Sequence, residues 1–176
     1  MLELEKTYLA KYLPEDLKKS PSKELIDVYI PGSHLHPRLR LRKNGGNFEI
    51  TKKQPKVEGD ASAQTEETIV LSREEFEALN NQVEGKRVRK IRYFYNHQGR
   101  RAEIDVFQDD LEGLVLVDFE FESVNDKEKF LMPGFCLAEV TQEDFIAGGM
   151  LCGKGYEDIE KKLNKYNYSK IVKNKL

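Results

Sequence analysis

The chain has 176 residues, 34% of them charged, with 29 Lys and Arg against 31 Asp and Glu for a formal net charge of −2. That length suits one domain with a sizeable core, and the near balance of charge argues against a globally basic nucleic-acid binder, so any basic site must be local. No apolar run approaches the roughly 20 residues needed to cross a bilayer or forms a signal peptide near the start; Cys136 and Cys152 make no metal or redox spacing, and a cytoplasmic protein with reduced thiols is expected.

Alternation of apolar and polar residues predicts strands over 2–9, 35–42, 47–53, 67–71, 87–95, 101–107 and 114–122. Asn44-Gly45-Gly46-Asn47 separates the second and third of these, as a tight hairpin does, and His97-Gln98-Gly99 separates the fifth and sixth. Residues 54–65 are polar, with a Pro, a Gly and small side chains, and read as a mobile loop. Ser72-Arg73-Glu74-Glu75 is a capping box opening a helix with the apolar spacing Phe76, Leu79. A short helix is expected over 125–131, before Pro133, and a last one from about Tyr156 to Tyr166 with Ile159, Leu163 and Tyr166 on one face. The Gly148-Gly149, Gly153, Gly155 cluster lacks the Gly-Lys-Ser/Thr ending of a phosphate loop and reads as a flexible joint. Residues 1–170 are expected to form a single domain and 171–176 a basic C-terminal tail. Many antiparallel strands with few helices suggest a barrel or a strongly curved sheet.

Residues two apart on a strand share a face, and here the polar faces segregate by sign. Glu3 and Glu5 share a face; so do Asp118, Glu120 and Glu122, and Glu103 with Asp105. His36, Arg38, Arg40 and Arg42 share another, as do Lys90 and Arg92. An ordinary barrel with an apolar interior would turn all of these to solvent, with Leu39/Leu41, Ile104/Val106 and Val115/Val117/Phe119/Phe121 as its core. A merely solvated sheet, however, usually mixes the two signs, and like charges on neighbouring positions repel unless something compensates them. Clustered carboxylates suit a hard cation, and clustered Arg and Lys suit an anion with many oxygens, such as polyphosphate. The apolar faces would then pack outward against helices.

The motifs resemble those of one family. Glu3-Leu4-Glu5-Lys6-Thr7 is similar to the Glu-x-Glu-x-Lys signature of the CYTH superfamily, the triphosphate tunnel metalloenzymes. Arg40-Leu41-Arg42 resembles its Arg-x-Arg strand, Thr51-Lys52-Lys53 its Thr-x-Lys, and Lys90-Ile91-Arg92-Tyr93 its Lys-x-Arg-Tyr. Glu66 stands where the family has an acidic strand; Glu103-Ile104-Asp105 and Asp118-Phe119-Glu120-Phe121 resemble its later acidic strands, and Glu139-Val140-Thr141 its acidic-Val-Thr turn. The resemblance implies a mainly β (α+β) fold, an eight-stranded antiparallel tunnel barrel open at both ends with a few flanking helices. It also implies that Glu3, Glu5, Asp118 and Glu120 hold Mg²⁺ or Mn²⁺. Arg40, Arg42, Lys53, Lys90 and Arg92 would hold phosphate oxygens. Glu66, Glu103 and Asp105 would be catalytic members of the acidic lining, on the metal side or orienting water.

The activity so implied is metal-dependent hydrolysis of a small-molecule triphosphate: tripolyphosphate first, with thiamine triphosphate or a nucleoside triphosphate also in range. A class IV-type adenylate cyclase and a weakly active triphosphate- and metal-binding module are the alternatives. No nucleic-acid or membrane partner is expected, and the protein would be a monomer or homodimer. Two positions depart from the family pattern. The signature lysine is Thr7, and after Val140-Thr141 the chain reads Gln142-Glu143-Asp144-Phe145, without the family's acidic-Arg-Tyr. Both remove positive charge from the phosphate side. His34 and His36 are expected to be structural or exposed.

Overall fold

In the computed structural model, which describes residues 2–172, the strands are β1 (Leu2–Ala10), β2 (Ser22–Ile30), β3 (Leu39–Asn44), β4 (Asn47–Pro55), β5 (Ala63–Leu71), β6 (Lys86–His97), β7 (Arg100–Phe107), β8 (Val115–Phe121) and β9 (Cys136–Glu139). They form one antiparallel sheet in the order β5-β4-β3-β2-β6-β7-β8-β1-β9. Leu2–Leu4 also pair with Thr65–Ala63, joining β1 to β5 and closing the first eight strands into a barrel. Closure removes the exposed edges that an open sheet would leave. β1 changes partner along its length: beyond the β5 contact, Tyr8–Ala10 pair with β9 on the same side.

The hairpins follow from their turn residues. His97 and Arg100 pair across Gln98 and Gly99, at φ 52° and 86°. Positive φ at both central positions is the twist a two-residue hairpin requires. The helices are α1 (Arg73–Gln82), α2 (Val124–Lys129), α3 (Gly148–Leu151) and α4 (Tyr156–Leu163). The capping box at α1 is formed as expected: Ser72 N–H donates to Glu75 Oε2 (2.7 Å) and Glu75 N–H to Ser72 Oγ (3.2 Å).

Because the interior positions are largely polar, apolar burial lies elsewhere. Outside the barrel, Val28 and Leu41 pack with Phe76 of α1. Tyr8, Ile104, Val117 and Phe119 are covered by Phe135 and Phe130, whose ring stands 4.6 Å from that of Phe119. The third cluster sits at one end of the bore. There Leu9, Tyr29, Val88, Phe107 and Leu116 meet Phe145, Ile146 and Leu151, with Tyr156, Ile159 and Leu163 of α4 behind them. This end is therefore plugged, where the family resemblance implies a barrel open at both ends.

Several boundaries differ from the sequence reading. β2 was not anticipated: Leu25, Asp27 and Tyr29 face inward while Ile26, Val28 and Ile30 face outward, so near the plug both faces are mostly apolar and alternation is lost. β3 begins at Leu39, leaving Leu35, His36 and Arg38 in the preceding segment. Residues 54–55 and 63–65 extend β4 and β5 rather than forming loop. Gly148 and Gly149 open α3 instead of forming a joint, and they fit where larger residues cannot. A Cβ at Gly149 would lie 2.2 Å from Pro37 O, and one at Gly148 would lie 2.0 Å from Tyr29 Oη. Ile171 donates its N–H to Gly113 O (3.0 Å) and packs against two of the clusters; residues 173–176 of the expected basic tail lie outside the described residues.

Leu151 is fully buried in the plug and Leu79 of α1 is 37% exposed. Leu151→Ala should cost about 2–5 kcal/mol in urea denaturation, the range for deleting a buried leucine side chain. Leu79→Ala should cost well under half of that.

Candidate active site

Twelve charged side chains singled out from the sequence line one cavity of about 540 Å³ in the bore. β1 supplies Glu3 and Glu5, and β8 supplies Asp118 and Glu120; Glu5 pairs in register with Glu120, and Thr7 with Asp118. Opposite-strand partners stand side by side on one face, so these carboxylates form a continuous acidic wall. Arg40 and Arg42 come from β3, Lys53 from β4, Glu66 from β5, Lys90 and Arg92 from β6, and Glu103 and Asp105 from β7. His36 and Arg38 reach the cavity too, although no strand carries them.

The cations are already paired. Arg42 forks Asp27 through Nε (2.6 Å) and an Nη (2.8 Å), both residues being buried. Burial pushes the Asp27 carboxyl up, but the charge and hydrogen bonds of Arg42 outweigh it and hold the group well below the usual carboxylate range. Arg92 forks Asp105 at 2.7 Å through Nε and Nη2, reaches Glu103 through Nη1, and lies 3.6 Å from Asp118. Lys90 also bonds Asp105. Against its burial, these two cations lower Asp105 to about 2. Lys53 Nζ bridges Glu3 (2.8 Å) and Glu5 (3.0 Å). Arg40 reaches Tyr29 Oη and Glu66 Oε2, each at 3.4 Å, and its buried Nε has no hydrogen-bond partner among the described residues. A buried donor without an acceptor costs free energy, and an anion in the bore would satisfy this one.

Two members of the acidic wall, Asp118 and Glu120, are shifted the other way. Burial, reinforced by Glu5 and Asp105, pushes Asp118 up to about 7 despite Arg92 and Lys90. Burial and then Glu103, Glu3 and Glu5 likewise raise Glu120. Thr7, in place of the signature lysine, donates its hydroxyl to Asp118 Oδ1 (2.7 Å) and its N–H to Thr141 Oγ1 (3.1 Å). Lys6 points outward to Glu139 (3.2 Å). Hard oxygen donors that repel one another suit Mg²⁺ or Mn²⁺ by chemistry. As they stand, no three His, Cys, Asp or Glu side chains among the described residues are drawn together into a metal cage.

Sequence reading did not find Asp27, Tyr29 or Gln64 among the cavity-lining residues. Asp27 and Tyr29 lay on the unread strand β2. Gln64, which donates to Glu5 Oε1 (2.9 Å), lay in the stretch taken for a loop. The Glu-Leu-Ile-Asp-Val-Tyr-Ile run is rich enough in β-branched and aromatic residues to have signalled a strand.

Fold and site together define a closed antiparallel barrel that sets carboxylates against cations around one blind cavity. The chain belongs to the CYTH domain family, which it matches over residues 5–131. It is 34% identical over 145 residues to an inorganic triphosphatase of Nitrosomonas europaea, covering 81% of this chain and 91% of that protein. The crystal structure of an inorganic triphosphatase superposes with a TM-score of 0.63 at 29% identity, over 85% of this chain and 93% of the other. A candidate adenylate cyclase from Bacillus halodurans shares the fold, with a TM-score of 0.52 at 15% identity over 96% and 91% of the two chains.

Asp27→Asn takes from buried Arg42 its bidentate counter-charge, leaving Glu49 at 4.0 Å, and should cost about 3–5 kcal/mol, measured by chemical denaturation at neutral pH. The pH dependence follows from the depressed carboxyl. Its contribution is complete above the unfolded-state value of about 3.9 and disappears as pH falls below it. Acidification from pH 4 should therefore destabilise the wild type more steeply than Asp27→Asn.

Proposed function

We propose that this protein hydrolyses a triphosphate, inorganic tripolyphosphate before others, with a divalent cation bound in the barrel. The observation that carries this reading is the opposition of an acidic wall, Glu3, Glu5, Asp118 and Glu120, to the cations Arg40, Arg42, Lys53, Lys90 and Arg92 around a single plugged cavity. The 34% identity to an inorganic triphosphatase supports the choice of substrate.

Phosphoryl transfer demands positioning and charge neutralisation more than covalent chemistry. Arg40 offers its unpartnered Nε to a phosphate oxygen. Asp27 fixes the guanidinium of Arg42, and Asp105 fixes the guanidinium of Arg92 and the ammonium of Lys90, so these cations are oriented before the substrate arrives. Preorientation of this kind lowers the cost of binding a charged transition state. Mg²⁺ or Mn²⁺ held by Glu3, Glu5, Asp118 and Glu120 would supply further neutralisation of phosphate charge. Asp105, held near 2 by its two cations, is a poor proton acceptor and serves best as a positioning group. Glu66 and Glu103 remain to orient water. In the reaction a water oxygen bonds to the terminal phosphorus, the bridging P–O bond breaks, and orthophosphate and pyrophosphate leave with the water's proton released. The apolar floor of the bore, with Phe107 and Leu116, closes off passage beyond the plug.

Purified protein should release orthophosphate from tripolyphosphate with Mg²⁺ or Mn²⁺, and EDTA should abolish the release. Parallel assays with thiamine triphosphate and ATP, including cyclic AMP formation, fix the substrate, and no turnover of any of them with either metal would refute the enzyme reading. Arg40→Ala should weaken triphosphate binding by about 1.5–3 kcal/mol, the value of a charged hydrogen bond. Arg89 pairs outside the bore with Asp109 (2.6 Å) and Glu24 (3.2 Å), and Arg89→Ala should leave that affinity unchanged in the same calorimetry.

A further inference from the structure

We infer that Lys53 is an internal stand-in for the divalent cation: its ammonium occupies the acidic wall until substrate draws it away, so that anion and metal bind cooperatively. The inference rests on the metal and phosphate assignments proposed above and concerns how the two are coupled.

Lys53 lies in register with Glu66 on β5. Its ammonium nevertheless crosses to β1, where it sits 2.8 Å from Glu3 and 3.0–3.1 Å from both oxygens of Glu5. Glu5 and Lys53 are each mostly shielded, their side chains 16% and 22% exposed. Removing either partner would leave the other as a shielded, poorly hydrated charge, which is costly. The other cations are differently placed. Arg42 and Arg92 are planar forks fixed by bidentate contacts to Asp27 and Asp105, and Lys90 shares Asp105 with Arg92. Lysine is a point charge on a flexible four-carbon stem and can change partners by rotating its side chain.

A polyanion in the bore offers the ammonium a stronger partner than two carboxylates. Once Lys53 turns to it, Glu3 and Glu5 are left facing each other and the neighbouring Glu120 without a counter-charge, a state that favours entry of a divalent cation. Conversely, a cation arriving first must expel the ammonium into the bore, where an anion then satisfies it. Each ligand thus removes an obstacle to the other, and linkage makes the effect reciprocal. The absence of a ready-made metal cage among the described residues follows directly, because the carboxylates have closed on Lys53.

The test is Mn²⁺ calorimetry without any phosphate, on the wild type, Lys53→Met and Lys90→Met. Lys53→Met should bind Mn²⁺ about tenfold more tightly than the wild type, the equivalent of one charged hydrogen-bonded contact removed. Lys90→Met takes the same charge from the same bore without touching Glu3 or Glu5, and should change the affinity by less than about threefold. An unchanged or weaker affinity in Lys53→Met, or equal gains in both variants, overturns the exchange. Should Lys53→Met fail to fold, a crystal structure of the wild type with Mn²⁺ alone decides: the ammonium must have left Glu3 and Glu5, and finding it still between them with Mn²⁺ bound refutes the idea. Wild-type protein that binds Mn²⁺ and hydrolyses tripolyphosphate while failing these criteria loses the exchange but keeps the triphosphatase reading. Protein that binds neither Mn²⁺ nor imidotriphosphate, a non-hydrolysable analogue, loses both.

Discussion

Everything in this structure depends on keeping a charged interior close to neutral. A closed barrel turns alternate residues of every strand toward a common space, and here that space holds carboxylates, guanidiniums and ammoniums. Isolated charges in such a place are prohibitive; paired and hydrogen-bonded ones are tolerated. Arg42 with Asp27, Arg92 and Lys90 with Asp105, and Lys53 with Glu3 and Glu5 meet this condition in the absence of any ligand. Asp118, which has only the Thr7 hydroxyl and a distant Arg92 at 3.6 Å, and Glu120 meet it less well, and their raised carboxyls mark where carboxylates outweigh positive charge. The site is thus largely satisfied yet short of cation on one wall, a disposition suited to a ligand that brings both phosphate and metal.

A polar bore displaces the hydrophobic core. Burial of apolar area, the main favourable contribution to folding, is divided among the α1 face, the face under Phe130 and Phe135, and the plug. The plug serves stability and site shape at once. Its α3 glycines let the 147–149 backbone settle against Tyr29 and Pro37, residues adjoining the arginine strand. Tyr29 in turn accepts from Arg40. Substitution at these glycines would be felt at the phosphate side through that contact chain.

Charge was the legible part of this sequence. Segregated signs at two-residue spacing located ten of the twelve lining residues, because a strand's period is fixed by backbone geometry; Lys53 and Glu66 came from the family resemblance alone. Where both faces of a strand are apolar, as in β2 beside the plug, the same periodicity is silent, and Asp27 and Tyr29 went unread with it. Pairing partners were not legible either. That Arg42 belongs to Asp27 and Lys53 to Glu3 and Glu5 depends on strand order in the closed sheet, which no local pattern encodes. Thr7 could be placed on the correct face from alternation, but its hydroxyl's partner, Asp118, is 111 residues away.

The two-sided pairing of β1 bears on how the chain reaches this state. Of the nine strands β1 is made before the others, yet its neighbours are β8, β5 and β9, and the Thr7 amide waits for Thr141, 134 residues later. Contacts so distant in sequence incur loop-closure entropy before they return any stabilisation, which places such topologies among slow folders. The acidic wall cannot be completed until β8 has been made and β1 docks on it. A chain interrupted before Cys136 could still zip β1 to β8 and β5, but the stretch from Tyr8 to Ala10 would present a bare strand edge, the feature that draws one nascent chain onto another.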